Sequence, residues 1–480
     1  MSMGFGYIHQ PQGPHTTVAI SALPKVKVSS MRRDGLFVIV VEWIEAVALR
    51  TASEAVVRVG NNLPLIQTTM SNPNLPPEML DHVVNFLHDD IEALRRCCLV
   101  SKSWVPRARK HLFAVVQFGS SDDIDAWKKI FSDPPNSPAH HTRILSISHF
   151  YVVTAEDAAE GGWIPTFSRV AYLDLDHGPL TPLTVPSGIS LAPFHNLSPA
   201  LKTLRVTCFL LRPPRVIDLI RSFPLLEDLT LIGHGPNIDD NERDGPHTDI
   251  PSSASPKLTG TLKLFLFGGV AVTLRQLLDL PNGVHFRSIE LSWCEEKDFR
   301  YLVELMVACS GALEDLSVTY EPEGMASSVY SLTRHLPEFW SAGESTPSAI
   351  DLSMATKLKN IEFRCETFEI GWVVRTLETL GSKHRGLQQI SIRVPSDLVY
   401  VAAEYCATVE QRIERANPGT RWSDLDRVLV RLWESHVTHM AVVYRQPGRR
   451  RGAREMKDWA AYLLPELTKR GIIGLVEEPS

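Results

Sequence analysis

A chain of 480 residues that is 44% hydrophobic and 22% charged has the composition of a globular protein, long enough for one large domain together with smaller ones. Its 49 Lys and Arg against 55 Asp and Glu give a formal charge of -6, which excludes a protein drawn by its overall field to nucleic acid or to anionic lipid. Seven cysteines, Cys97, Cys98, Cys208, Cys294, Cys309, Cys365 and Cys406, are scattered without a Cys-x-x-Cys pair, a pattern of free thiols in a reducing compartment, cytoplasmic or nuclear.

Residues 1–72 read as an amino-terminal extension that carries no repeat, with Met70 as an alternative start and no apolar core suited to a secretory signal. The run from Leu36 to Leu49 is interrupted by Glu42 and Glu45 and falls short of the roughly twenty residues of a membrane helix, so a buried strand or helix is expected there.

Between Leu75 and Phe113 the spacing predicts three short amphipathic helices. Pro76 and Pro77 suit a first turn, where a missing N–H costs nothing, and Leu80, Val83, Val84 and Leu87 recur on one face. Asp89 and Asp90 can cap a second helix bearing Ile91, Leu94 and Cys98, and Trp104, Ala108 and Leu112 carry the stripe into a third. Such a unit buries little surface alone and is stable chiefly against a neighbour.

The order Leu75, Pro76, Glu78, then Asp90, Ile91 and Leu94, then Val100, Ser101, Lys102 and Trp104, resembles the F-box. That resemblance, over residues 73–115, implies docking on a Skp-family adaptor through Leu75, Pro76, Leu80, Ile91, Leu94, Val100 and Trp104, and through the adaptor membership of a cullin-based ubiquitin ligase. A helical hairpin within a larger core is the plainer alternative. From Arg95 to Lys110 six basic residues occur without an acid, which fits an acidic adaptor more economically than nucleic acid.

Beyond residue 116 a Leu-x-x-Leu-x-Leu element recurs at Val170, Leu173 and Leu175; at Leu201, Leu204 and Val206; and at Leu226, Leu229 and Leu231. It returns at Phe286, Ile289 and Leu291; at Leu313, Leu316 and Val318; at Leu358, Ile361 and Phe363; and at Leu387, Ile390 and Ile392, with weaker copies at Leu145 and Ile147 and at Leu262 and Leu264. Most intervals are roughly 25 to 33 residues, and helical patterns such as Pro213 to Pro224 and Asp298 to Ser310 lie between copies. Each copy supplies a short strand whose first and third apolar side chains point inward and a helix to cover it, so an α/β solenoid with parallel strands is expected over residues 116–480. It resembles the irregular leucine-rich repeats that follow many F-boxes, although the usual Asn or Cys after the strand is represented only near Cys208, Cys294 and Cys365. A doubly wound α/β sheet alternates strand and helix in the same way and is the alternative.

Two loop-rich insertions, His234 to Pro256 and Glu321 to Ile350, interrupt the array. Toward the end, Ser423 to His436 reads as a helix, His439 to Arg445 as a strand, Met456 to Arg470 as a helix and Gly471 to Glu478 as a strand, all terminal caps of the solenoid. Arg445, Arg449, Arg450, Arg451 and Arg454 form a basic cluster between them, read as a solvated turn before a nuclear-import tag.

Motifs for a nucleophile elbow, a phosphate loop, a zinc-binding His-Glu-x-x-His and a dinucleotide loop were sought and not found, and no cofactor or metal is expected; His436 and His439 read as a solvated helix end. The expected function is that of a non-catalytic substrate receptor: the helical unit binds the adaptor and the solenoid presents a protein target whose identity the sequence does not give. An adaptor-bound scaffold without ubiquitin transfer is the alternative, and a hydrolase-like enzyme a more distant one. By strand alternation Arg205, Glu290, Glu362, Arg364 and Arg393 point away from the inward leucines, which makes them the candidate target-binding residues.

Overall fold

The structure, a computed structural model, describes residues 77–100, 102–133, 136–177, 190–208, 213–234, 256–267, 270–294, 298–320, 349–365, 370–394, 422–435, 437–445 and 461–478. The expectations for residues 1–72, Leu75, Pro76, Ser101, Cys406 and His436, for nearly all of the two insertions, and for Arg449 to Arg454 lie outside the described residues.

Three helices stand where the apolar spacing predicts them: α1 (Pro77–Phe86), α2 (Ile91–Val100) and α3 (Val105–Leu112). The Asp90 carboxylate accepts the Ala93 N–H at 2.9 Å, satisfying one of the free donors of the first turn of α2. Leu94 and Ala108 are fully buried and Val84 nearly so. Across the unit, Arg107 pairs with Asp81, and His111 Nε2 lies 2.8 Å from Asn85 Oδ1, so α3 is tied to α1 by polar contacts as well as by its apolar stripe.

Three residues after α3 the chain enters a twelve-stranded, wholly parallel sheet in which strand order equals chain order. The strands are β1 (Val115–Phe118), β2 (Ile144–Ser148), β3 (Tyr172–Asp176), β4 (Thr203–Thr207), β5 (Asp228–His234) and β6 (Thr261–Phe267). They continue with β7 (Ser288–Cys294), β8 (Asp315–Tyr320), β9 (Asn360–Cys365), β10 (Gln389–Val394), β11 (His439–Arg445) and β12 (Ile473–Glu478). A doubly wound sheet reverses its strand order at a switch point; a strictly sequential order has no such point and is that of a solenoid-like α/β array. Every strand except β1 falls on a segment whose alternation was legible in the sequence. Val115–Phe118 is short and sits against the helical unit, so its alternation is hard to tell from the end of α3.

The register aligns the repeat. Leu145, Leu173, Leu204, Leu229, Leu262 and Ile289 are successive partners and continue through Leu316, Ile361 and Ile390. These side chains, and the row two residues further on, are buried almost completely. Val170, Leu201, Leu226 and Leu313, the first apolar residue of their copies, precede the strands and are equally buried, so all three leucine positions feed the core rather than the first and third alone.

Helices cover this leucine face: α4 (Ser121–Ile130), α5 (Pro213–Arg221), α6 (Val270–Leu278), α7 (Phe299–Cys309), α8 (Gly371–Glu378), α9 (Trp422–Ser435) and α10 (Pro465–Lys469). Between β2 and β4 short turns at Ile164–Thr166 and Ala192–Phe194 take that place, which makes the early repeats irregular. Neighbouring repeats are stitched by buried side chains. Asp298 accepts the Ala271 N–H of α6 at 2.8 Å, and Asp426 of α9 accepts the Glu466 and Leu467 N–H groups of α10 at 2.9 and 3.1 Å. Each carboxylate meets donors that a helix leaves open at its start.

One apolar cluster runs from Val84 to Leu467. At its amino-terminal end Phe118 meets Trp127 edge-on at 5.5 Å and Trp163 at 5.4 Å, with Phe113, Phe131 and Phe167 around them, so α3, β1 and α4 share one aromatic nucleus. The six described cysteines are buried; burial pushes the thiol pKa values of Cys98 and Cys309 up to about 11, far from the thiolate form at neutral pH.

Candidate functional site

Two surfaces gather the residues singled out from the sequence. On the helical unit, Leu94 is fully buried, and Ile91 and Trp104 are half-buried against the core, so these three hold the unit together. Leu80 lies in α1 and Val100 closes α2. Among the described side chains of the unit, two large apolar ones that sequence reasoning missed are left uncovered: Phe86, 87% exposed at the end of α1, and Leu99, 54% exposed near the end of α2. Both sit off the predicted stripe, which is the signal that could have marked them. Three of the six residues of the basic run form ion pairs within the unit. Arg95 and Arg96 pair with Glu92, and Arg107 with Asp81.

The second surface is the outward face of the sheet. Asp174, Arg205, Thr230, Lys263, Glu290, Ser317, Glu362 and Ser391 form one row across β3 to β10, and Thr319, Arg364 and Arg393 belong to the next. Strand alternation places Arg205, Glu290, Glu362, Arg364 and Arg393 there, as expected, and brings four of them together. Glu290 lies between Lys263 at 2.9 Å and Arg364 at 3.3 Å; Glu362 lies between Arg364 at 2.9 Å and Arg393. The result is an alternating network, Lys263–Glu290–Arg364–Glu362–Arg393, with one positive charge in excess. Lys263, in a weak repeat copy, was not singled out from the sequence.

Arg205 stands apart on β4. It faces Asp174 at 3.7 Å, an ion pair too long for a hydrogen bond. Burial raises the Asp174 pKa against the opposing pull of Arg205. Three outward positions are buried, Ser292, Thr319 and Ser391, with Ser292 Oγ 3.5 Å from Thr319 Oγ1. Arg364, reaching from β9 to Glu290 on β7, lies over β8 and covers short side chains that a bare strand would expose.

At the carboxyl ends of the strands the inward position holds His177, Cys208, Gly233, Leu266, Cys294, Tyr320 and Cys365, all buried. The three cysteines are those that the sequence placed near the missing ladder of Asn or Cys. Gly233 is there because a Cβ would come within 1.8 Å of the Cys208 carbonyl oxygen. His177 has no hydrogen-bond partner on either ring nitrogen; it lies against Tyr151 at 4.8 Å, and its pKa is lowered by burial and then by His149.

Among the described residues no group of three or more His, Cys, Asp or Glu is placed to hold a metal ion, and no helix is long and apolar enough to cross a membrane. The chain matches no family model, and no curated protein matches it. What the two surfaces offer is uncovered apolar area on a helical unit and paired charge on a long strand face.

Proposed function

We propose that the chain is a non-catalytic substrate receptor of a Skp–cullin–F-box-type ubiquitin ligase, in which α1 to α3 bind the adaptor and the strand face receives a protein target. The observation that carries this reading is the helical unit itself. Of the F-box-like anchors, Leu80 lies in α1, Ile91, Leu94 and Val100 lie in α2 and Trp104 immediately precedes α3, while Phe86 and Leu99 remain uncovered on a unit otherwise seated in a continuous core. Uncovered aromatic and aliphatic side chains on a well-packed support are what a protein interface uses as anchors. The shared aromatic nucleus of Phe113, Phe118 and Trp127 supports it further. A receptor accelerates ubiquitin transfer by holding its target at a fixed offset from the conjugating enzyme, and a stiff joint keeps that offset.

The test is co-purification of adaptor and cullin with the full chain carrying Phe86→Asp and Leu99→Asp. Both substitutions place charge on exposed positions, so the fold is retained and the adaptor is lost from the complex. Undiminished adaptor binding by the folded double variant overturns the assignment. Accumulation of a co-purifying protein on deletion of the chain separates a receptor from an adaptor-bound scaffold.

A further inference from the structure

Positive charge gathers where the helical unit meets the first strands. His140 and His141 lie with ring centroids 3.9 Å apart and planes tilted by 51°, and Arg109 and Lys110 from the last turn of α3, together with Arg169 from the approach to β3, act on His141. Arg143 belongs to the same edge. Its N–H donates to the Ala114 carbonyl at 2.8 Å, and its own carbonyl accepts the N–H groups of Ala171 and Tyr172. Lys110, Arg143 and Arg169 are exposed, and none of the three pairs with a carboxylate of the described residues. Burial and then His140, Arg169, Arg109 and Lys110 push the His141 pKa down to about 4. In a chain of formal charge -6, whose strand-face charges are paired with one another, Lys110, Arg143 and Arg169 stand out as cations without a carboxylate partner among the described residues.

Beside it lies a cleft of about 560 Å³ lined by Ser137, His140, Gly161, Gly162, Thr166 and Ser168. His140 Nδ1 is 2.7 Å from the Ser137 carbonyl, which leaves Nε2 as the unengaged ring nitrogen. Glu156 and Glu160 are exposed just before the two glycines, and Asp122 and Asp125 are exposed on α4. Acids therefore bound the basic area, whereas a nucleic-acid backbone needs a basic track that runs on.

We propose that this joint is a docking site for a short acidic polypeptide segment, whose carboxylates pair with Lys110, Arg143 and Arg169 while one side chain enters the cleft beside His140. The site uses neither Phe86 nor Leu99 and stands whether or not the ligase reading holds. Its contribution is chiefly electrostatic: steering and orientation of a partner, with strong dependence on salt.

The experiment measures fluorescence anisotropy of a labelled oligoglutamate peptide with the full chain at low ionic strength, beside an oligoglutamine peptide and a single-stranded oligonucleotide of matched charge. Binding of oligoglutamate alone is expected. It should weaken as salt is added and fall by about tenfold or more in Lys110→Glu/Arg143→Glu/Arg169→Glu. The corresponding triple Gln variant, milder toward the fold, should fall between the two, with thermal unfolding recorded for each. Equal peptide binding by the folded variants, no peptide binding at low salt, or tighter binding of the oligonucleotide overturns the proposal.

Discussion

Arg364 places its guanidinium 3.3 Å from the Glu290 carboxylate, 74 positions away in the chain, by reaching across the whole width of β8. The same guanidinium holds Glu362 at 2.9 Å, so one cation joins two anions on strands separated by a third. An arrangement of this kind makes the strand face a set of coupled charges rather than separate contact points.

Arg364→Glu brings three carboxylates together and should cost about 1 kcal/mol, given the partial exposure of the site. Reversing Glu290, Glu362, Arg364 and Arg393 together restores the alternation among the four and breaks only the contact with Lys263, so it should unfold closer to wild type than the single variant. Urea midpoints of the two chains make the comparison. If the face reads a target, the quadruple variant loses it while keeping its own stability.

Gly233→Ala drives a methyl group into the Cys208 carbonyl oxygen, a backbone atom that has no rotamer in which to move away. A loss of about 2–3 kcal/mol is expected in denaturant unfolding. Gly283→Ala, with a positive φ but only an ordinary contact at 3.9 Å with His285, serves as a control and should cost less.

Asp426→Ala removes the acceptor for two N–H groups at the start of α10 and leaves them beneath a buried site. The cost should be about 1–3 kcal/mol, concentrated in the last repeats. Amide hydrogen exchange should therefore rise in α9, α10 and β12 before it rises in β3 or β4.

Burial lowers the pKa of His111, His141, His177 and His195 from 6.5, that of His141 to about 4. Each binds its proton more readily in the unfolded chain. Stability is thus at its full value above the unfolded pKa and is lost as pH falls from about 6.5 toward 4. A urea midpoint that does not drop between those two values would contradict it. His177→Leu, which removes a buried imidazole with no partner, should flatten part of the slope.

The inward leucines made the strands legible because every repeat buries the same positions, and a period of two survives irregular loop lengths. Leu173 and Leu175 announce β3 as clearly as Ile361 and Phe363 announce β9. The charged network was not legible: Arg364 meets Glu290 only because the registers of β7, β8 and β9 coincide. Nor does local sequence show that Ser292 and Thr319 would be covered. On the helical unit the pattern distinguished a buried stripe from its surroundings, so Leu94 was visible as apolar and periodic, but its place inside the unit followed only from packing. Phe86 and Leu99 are as apolar as the core residues, and only their place off the stripe sets them apart in the sequence.

The sequential stack of strands also fixes a length. Neighbouring strands lie about 4.8 Å apart, so twelve of them make a front about 50 Å long. An ordinary protein partner covers about 800 Å², a footprint near 30 Å across. A protein seated over Glu290 and Glu362 therefore leaves the Asp174 and Arg205 end of the front uncovered, with room for a second footing. The sheet then serves as a ruler, on which two short motifs of one elongated partner, spaced to match, are read together and either motif alone is held weakly.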